Sequence, residues 1–328
     1  GSPPVPLGLV RILDSEDPSV LLARLVVSQL ALDLATAGVL WWGFGRRTLL
    51  AYLVLGAPFL LYPFPYFRID LVAVFLAAAG MALLARHRDL PAGIVAAVAV
   101  FAKAWPIVLG GAFLVERRSR AGLAWIVTGL IGVVAWVVWA GTNGAVEVFS
   151  LRGATGWQLE SLPGIALHTG EPLRAHVESG AWRTAIMPAW TRPALTALSI
   201  GGVVAAWVLA ERRRRAGCSS AVSYGLAPVA AICSMLVFAP IISPQYLLWL
   251  LPWGAVLAAR GDRLLSVLLL GANLASAFGL LRIEDQLAGS AVGTAPIIVR
   301  NVLLVALLAA ALAQLAGALR APALRPAS

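Results

Sequence analysis

Apolar residues run along this chain in stretches of fifteen to twenty-five, each ended by a basic pair, a proline-rich turn or a polar loop. A bilayer core of about 30 Å is crossed by about 20 apolar helical residues. That criterion predicts spans near 20–44, 48–62, 70–85, 122–140, 194–210, 221–239, 246–259, 264–281 and 297–318.

The stretch from Leu90 to Val115 needs its own reading. As a single helix it would carry Glu116-Arg117-Arg118-Ser119-Arg120 to the side opposite the other basic loops. Its length, about 39 Å at 1.5 Å per residue, is long for one span and enough for two half-depth helices. Pro106 favours a break near Lys103-Ala104-Trp105-Pro106, with Lys103 at the apex of a hairpin open to an outer cavity. The expected fold is therefore all-α, a polytopic transmembrane bundle of about ten to eleven membrane helices including this short hairpin. Residues 1–328 form a single membrane-embedded domain, with a long outer loop over 141–192.

Composition agrees, because 60% hydrophobic and 12% charged residues with a mean hydropathy of +0.88 exclude a soluble domain. A net charge of +10 invites a nucleic-acid reading, but the basic residues fall in short clusters between spans, the mark of cytoplasmic loops. No nucleic-acid partner is expected. Arg46 and Arg47, Arg86 and Arg88, Arg117, Arg118 and Arg120, Arg212 to Arg215, Arg260 and Arg263, and Arg320 are placed inside. The Tyr62–Ile69 turn, the Gly141–Arg192 loop, the Pro240–Gln245 turn and the Arg282–Pro296 segment then face outward from a cytoplasmic membrane. The same bookkeeping puts the amino end of the first span outside, while residues 1–19 are too short and proline-broken to span. An upstream span with its outer loop is the expectation; a cleaved signal peptide would give the same topology.

Cys218 and Cys233 fall at different depths and make no disulfide; His87, His168 and His176 show no zinc-ligand spacing. No cofactor is evident, no metal site is expected, and a divalent ion has no support in the sequence.

Polar residues gather on the outer side: Arg68 and Asp70, Lys103, Gln158, Glu160 and Ser161 in the long loop, and Ser243, Gln245 and Tyr246 at the start of a late span. Paired Arg and Lys suit an anionic lipid headgroup such as a phosphate. Carboxylates in the same cavity suit general-base work on a hydroxyl, and aromatic rings suit a sugar or lipid pocket. Each has a plainer reading. Arg68 and Asp70 read equally as a structural ion pair or helix-end charges, Lys103 as a snorkelling lysine, and Glu160 and Ser161 as solvated loop residues or a helix cap. Ser243-Pro244 reads as a capped helix start, and Asp33 as a carboxylate paired with a neighbouring helix.

Lined up in order, Arg68-Ile69-Asp70-Leu71, Ala92-Gly93, Lys103-x-x-Pro106, Gln158-Leu159-Glu160-Ser161 and the run from Ser243-Pro244-Gln245-Tyr246 to Pro252 form a pattern. It resembles the polyprenyl-phosphate-dependent hexosyltransferases of the GT-C superfamily, particularly glycosyltransferase family 87 of actinobacteria. The resemblance covers about residues 20–260; each motif is short, and their order and shared side carry the specificity. It implies transfer of a hexose, usually mannose, from a polyprenyl-phosphate sugar to a glycan or glycolipid acceptor on the outer face, with inversion at the anomeric centre. Lys103 and Arg68 would hold the donor phosphate, oriented by Asp70, and Gln245 and Tyr246 would line the donor cavity. Glu160, with Gln158 and Ser161, would face the acceptor or order the loop. Similar enzymes carry their catalytic aspartate in a first outer loop, expected here upstream, since Asp14, Glu16 and Asp17 match no such motif. Asp70 is the reserve candidate.

The competing function is a transporter or lipid flippase, whose buried charges would line a path. No convincing repeat between the halves supports it, and a long loop with Trp157, Glu160, Trp182 and Trp190 suits an acceptor-binding lid better than a short gate. A third reading, a membrane-assembly subunit, predicts no penalty for losing Lys103 or Asp70.

Overall fold

The computed structural model describes residues 13–147, 155–170, 176–178, 181–217 and 222–317; Cys218 and Arg320 lie outside them. The first helices are α1 (Pro18–Phe44), α2 (Arg46–Gly56), α3 (Asp70–Ala85), α4 (Asp89–Ala102), the short α5 (Gly111–Val115) and α6 (Ser119–Glu147). Then come β1 (Gly156–Gln158), α7 (Leu162–Gly170), β2 (His176–Glu178) and β3 (Ala181–Ile186). The chain finishes with α8 (Thr191–Arg215), α9 (Ala227–Val237), α10 (Leu251–Ala259), α11 (Arg263–Leu281), the short α12 (Ile283–Leu287) and α13 (Ala291–Ala316). Single 3-10 turns occupy Ala57–Leu60, Phe64–Phe67, Trp105–Gly110 and Pro244–Trp249, and a π-turn over Val222–Leu226 leads into α9.

This is the all-α polytopic bundle that the apolar runs predict. Local chemistry sets several helix starts. Asp17 accepts the Ser19 amide ahead of Pro18, Asp262 accepts the Leu265 amide at the head of α11, and the Ser290 hydroxyl accepts the Gly293 amide at the head of α13. The last cap starts α13 at Ala291, so Pro296 and the residues just before it are helical rather than part of an outer loop.

Five helices, α1, α6 up to Thr142, α8, α11 and α13, are long and apolar enough to cross a membrane alone. Others are shorter. α3 has 16 residues and α4 has 14, which at 1.5 Å each is about 24 and 21 Å, short of a core of about 30 Å.

The basic turns meet on one face. Arg86 reaches the Trp42 carbonyl at the end of α1, Arg118 reaches His87 and lies 3.7 Å from Asp89, Arg117 pairs with Glu211 at 2.8 Å, and Arg213 caps the Gln314 carbonyl of α13 at 2.5 Å. The Arg118 contacts decide the question posed by Leu90–Val115. Both ends of the segment return to the same face, so it is a hairpin, broken where Lys103 takes an extended conformation (φ −161°, ψ 144°) ahead of the 3-10 turn. One backbone crossing and one side chain pin it. A Cβ on Gly93 would sit 2.2 Å from the Ala121 carbonyl oxygen, so α4 crosses α6 at backbone contact, and the Trp207 indole of α8 lies on Gly111 while donating to the Val108 carbonyl at 2.7 Å.

Within the predicted 141–192 loop, the described residues are more ordered than the composition suggests. β1, β3 and β2 form a three-stranded antiparallel sheet with β3 in the centre, where Arg183 faces Gln158 on one side and His176 on the other. Buried Arg183 staples the sheet, donating to the Gly156 and Glu178 carbonyls at 2.9 and 3.2 Å. The Gly156 and Thr155 amides donate to the Glu178 carboxylate and hold its pKa below the usual carboxylate range.

Candidate functional site

On the face opposite the basic turns, three chain breaks converge: the head of α3, the hairpin apex and the Pro244–Trp249 turn. At each an extended residue precedes a helical turn, namely Arg68, Lys103 and Ser243. Asp70, the first residue of α3, is 3% exposed. Its Oδ1 accepts from the Lys103 ammonium at 2.6 Å and from the Trp249 indole at 2.9 Å. Lys103 stands over the Tyr246 and Trp249 rings, 4.7 and 5.0 Å from their centres. Those rings stack at 4.3 Å, and Trp249 stacks in turn on Trp105 at 5.3 Å. The hairpin apex is thus tied to the Pro244–Trp249 turn by three stacked rings and to α3 by an ion pair.

Arg68 is exposed, its guanidinium 4.7 Å above the Phe64 ring. This corrects the expected partnership, since Asp70 orients Lys103 and not Arg68. The cause is local, because Arg68 lies in extended backbone before the helix while Asp70 opens the helix and turns toward the hairpin. Both cations still share a field around Tyr246, whose hydroxyl feels the charges of Lys103, Asp70, Arg68 and Arg183.

Gln245 is buried and accepts from the Ser243 hydroxyl, so Ser243 addresses a neighbouring side chain and caps no amide. The loop residues divide. Gln158 is buried, its backbone amide donating to the Pro240 carbonyl at 3.2 Å, which joins the sheet to the turn carrying Ser243, Gln245 and Tyr246. Ser161 is the helix cap of the plainer reading: its hydroxyl donates to the Gln158 carbonyl and accepts the Gly164 amide of α7.

Glu160 is committed elsewhere. One carboxylate oxygen lies 2.5 Å from the guanidinium of Arg300, a fully buried arginine of α13, which also takes the Glu160 carbonyl at 2.5 Å. Asn301 donates to that carbonyl at 3.1 Å. Burial raises the Glu160 carboxyl above the usual range and Arg300 pulls it back, so desolvation outweighs the attraction of the pair. The pair fixes geometry more than it adds stability. His168 of α7 completes the dock, its Nε2 2.9 Å from the Gln286 carbonyl beside α13.

Sequence reasoning missed three participants. Trp249 was visible only as one letter of a motif, and Arg183 sat in a loop given no structure. Arg300 carried a usable signal, an arginine inside a long apolar helix, which demands a partner.

The site predicts a graded response at Asp70. Asparagine keeps an oxygen for both the ammonium and the indole, so Asp70→Asn should lower kcat/KM only a few-fold, and Asp70→Ala about 10²-fold. Initial rates on equal amounts of folded protein would separate them. An asparagine loss as large as the alanine loss would make the carboxylate charge itself essential and return Asp70 to the role of base.

Among the described residues, no cluster of His, Cys, Asp and Glu has the makings of a metal site. A family model described as Glycosyltransferase family 87 matches residues 3–223, which contain Arg68, Asp70, Lys103, Glu160 and Arg183 but not Tyr246, Trp249 or Arg300. No curated protein and no solved structure matches the chain.

Proposed function

Because the chain belongs to glycosyltransferase family 87, we propose that this membrane glycosyltransferase moves a hexose, mannose in our reading, from a polyprenyl-phosphate sugar to a glycan or glycolipid acceptor at the outer face of the cytoplasmic membrane. The observation that carries the donor assignment is the charge balance at the converging breaks. Lys103 and Arg68 bring two positive charges and Asp70 one negative, leaving one positive charge among these three groups, with the Phe64 ring beside Arg68 and the Tyr246 and Trp249 rings beside Lys103. A phosphodiester carries one negative charge and matches it.

In the reaction the acceptor hydroxyl attacks the anomeric carbon, the bond from that carbon to the phosphate oxygen breaks, and the lipid phosphate leaves with the bonding electrons. Its charge then rises from one to two. Lys103 and Arg68 face that developing charge, so they favour the transition state over the bound donor. Tyr246 and Gln245 line the donor cavity. The hydroxyl proton passes to a carboxylate base, for which Asp70 is the candidate in reserve. Glu160, held by Arg300, orders the loop over the acceptor.

Membranes carrying the protein, given radiolabelled polyprenyl-phosphate mannose and a lipid extract, should yield a labelled glycan or glycolipid. A nucleotide-linked mannose without the lipid donor should yield none. Failure of transfer from mannose, glucose and arabinose lipid donors alike would overturn the reading, and movement of the lipid donor across sealed vesicles without bond formation would mark a transporter instead.

A further inference from the structure

Asp33 is a carboxylate within the longest run of apolar residues at the start of the chain, where an ionised group is costly unless something is made of it. Both its oxygens are used. Oδ1 accepts the Tyr52 hydroxyl of α2 at 2.5 Å, and Oδ2 accepts the Tyr66 hydroxyl at 2.8 Å. The two tyrosines are buried, 2% and 8% exposed.

Tyr66 belongs to the Phe64–Phe67 turn, closed by its own amide on the Pro63 carbonyl and by the Arg68 amide on the Pro65 carbonyl. Arg68 is the next residue after that turn, and the turn also supplies the Phe64 ring beneath its guanidinium. The turn has no helix ladder of its own and touches the rest of the bundle through α1 and the Pro244–Trp249 turn. A hydrogen bond to a charged acceptor is roughly twice as strong as a neutral one, so the Tyr66 hydroxyl is the strongest tie this turn has to α1.

We propose that Asp33 is a positioning residue for donor binding: through Tyr66 it anchors the Phe64–Phe67 turn and so sets where the Arg68 guanidinium stands relative to Lys103. The proposal rests on the reading of Lys103 and Arg68 as the donor-phosphate site. Tyr52 holds the same carboxylate from the other side and fixes its rotamer.

Two measurements test it in the full chain. The first is donor KM and kcat with polyprenyl-phosphate mannose for wild type, Tyr66→Phe, Asp33→Asn, Asp33→Ala and the Asp33→Ala/Tyr66→Phe double variant, on equal amounts of folded protein. Tyr66→Phe and Asp33→Ala should each raise donor KM about tenfold, with acceptor KM unmoved, and the double variant should be no worse than Asp33→Ala. Asp33→Asn, which keeps one acceptor oxygen, should fall between. The second is the deuterium labelling rate of the residue 68 amide, which closes the turn on the Pro65 carbonyl, expected to rise about tenfold with Asp33→Asn or Tyr66→Phe as the turn loosens. An unchanged donor KM, additive losses in the double variant, or an unchanged labelling rate would overturn the proposal. If Asp33→Ala does not fold, Tyr66→Phe and Asp33→Asn decide it. Absence of transfer by the wild type would defeat the donor reading, and labelling would still decide the anchor.

Discussion

Replacing Lys103 by alanine should lower sugar transfer by about 10²- to 10³-fold, the scale of removing one group that faces developing charge. The variant loses more than a cation. Asp70, 3% exposed, would keep only the Trp249 indole, and its negative charge would then face the incoming phosphate without compensation. Net charge at the site would fall from one positive to zero, counting Arg68 and Asp70 alone. Lys103→Arg should recover only part of the loss, because a planar guanidinium cannot keep the compact placement of an ammonium over two rings while reaching Asp70. Single-turnover rates at saturating donor would check this: a loss confined to donor KM, with chemistry at the wild-type rate, would mean that Lys103 binds the donor without assisting its departure.

Arg300→Ala should destabilise the fold by about 3–5 kcal/mol, the cost of breaking a buried ion pair by removing one partner. It would strip the Glu160 carboxylate of its cation and leave the Glu160 carbonyl with Asn301 alone. Replacing both charges with apolar residues, as in Arg300→Met/Glu160→Leu, should restore much of the thermal stability, since well-packed apolar residues replace a buried ion pair at little or no cost. Activity should not follow. The double variant would fold without the tie that holds the Gln158–Ser161 segment, so transfer should stay low while the unfolding temperature recovers. Detergent-solubilised unfolding curves beside transfer rates would show the split, and parallel recovery of both would reduce the pair to a stability element.

How far the sequence could be read depended on which force shaped each part. The spans were legible because burial in lipid imposes a length and composition that loops cannot imitate. The hairpin was legible from charge, since only a re-entrant path returns Arg118 to the side of Arg86, and the Arg118 contacts with His87 and Asp89 place it there. Lys103, Asp70 and Tyr246 were grouped correctly in space, but their partnerships were not. Residues two apart, such as Arg68 and Asp70, invite pairing on paper, whereas the direction of a side chain depends on where a helix begins. The sheet of the outer loop was hidden because its strands are three to six residues long and are held by Arg183 and Glu178 more than by any alternating pattern. Arg300 was hidden because it falls in the first turn of the predicted 297–318 span, where an arginine reads as an interfacial charge and not as a buried partner.

The contrast between long helices and short ones fixes how this protein meets membranes of different thickness. α1, α8 and α13, with 27, 25 and 26 residues, set the hydrophobic match with the surrounding lipid. A thinner or thicker bilayer is accommodated by their tilt and by local deformation of the lipid, at fractions of a kcal/mol per Å. α3, mostly buried among its neighbours and joined to the end of α4 through the 2.6 Å contact of Asp70 with Lys103, does not take part in that adjustment. Under the proposed lipid-donor reading, changing acyl-chain length alters the distance a donor headgroup must sink to reach Lys103, while Lys103 and Asp70 keep their spacing.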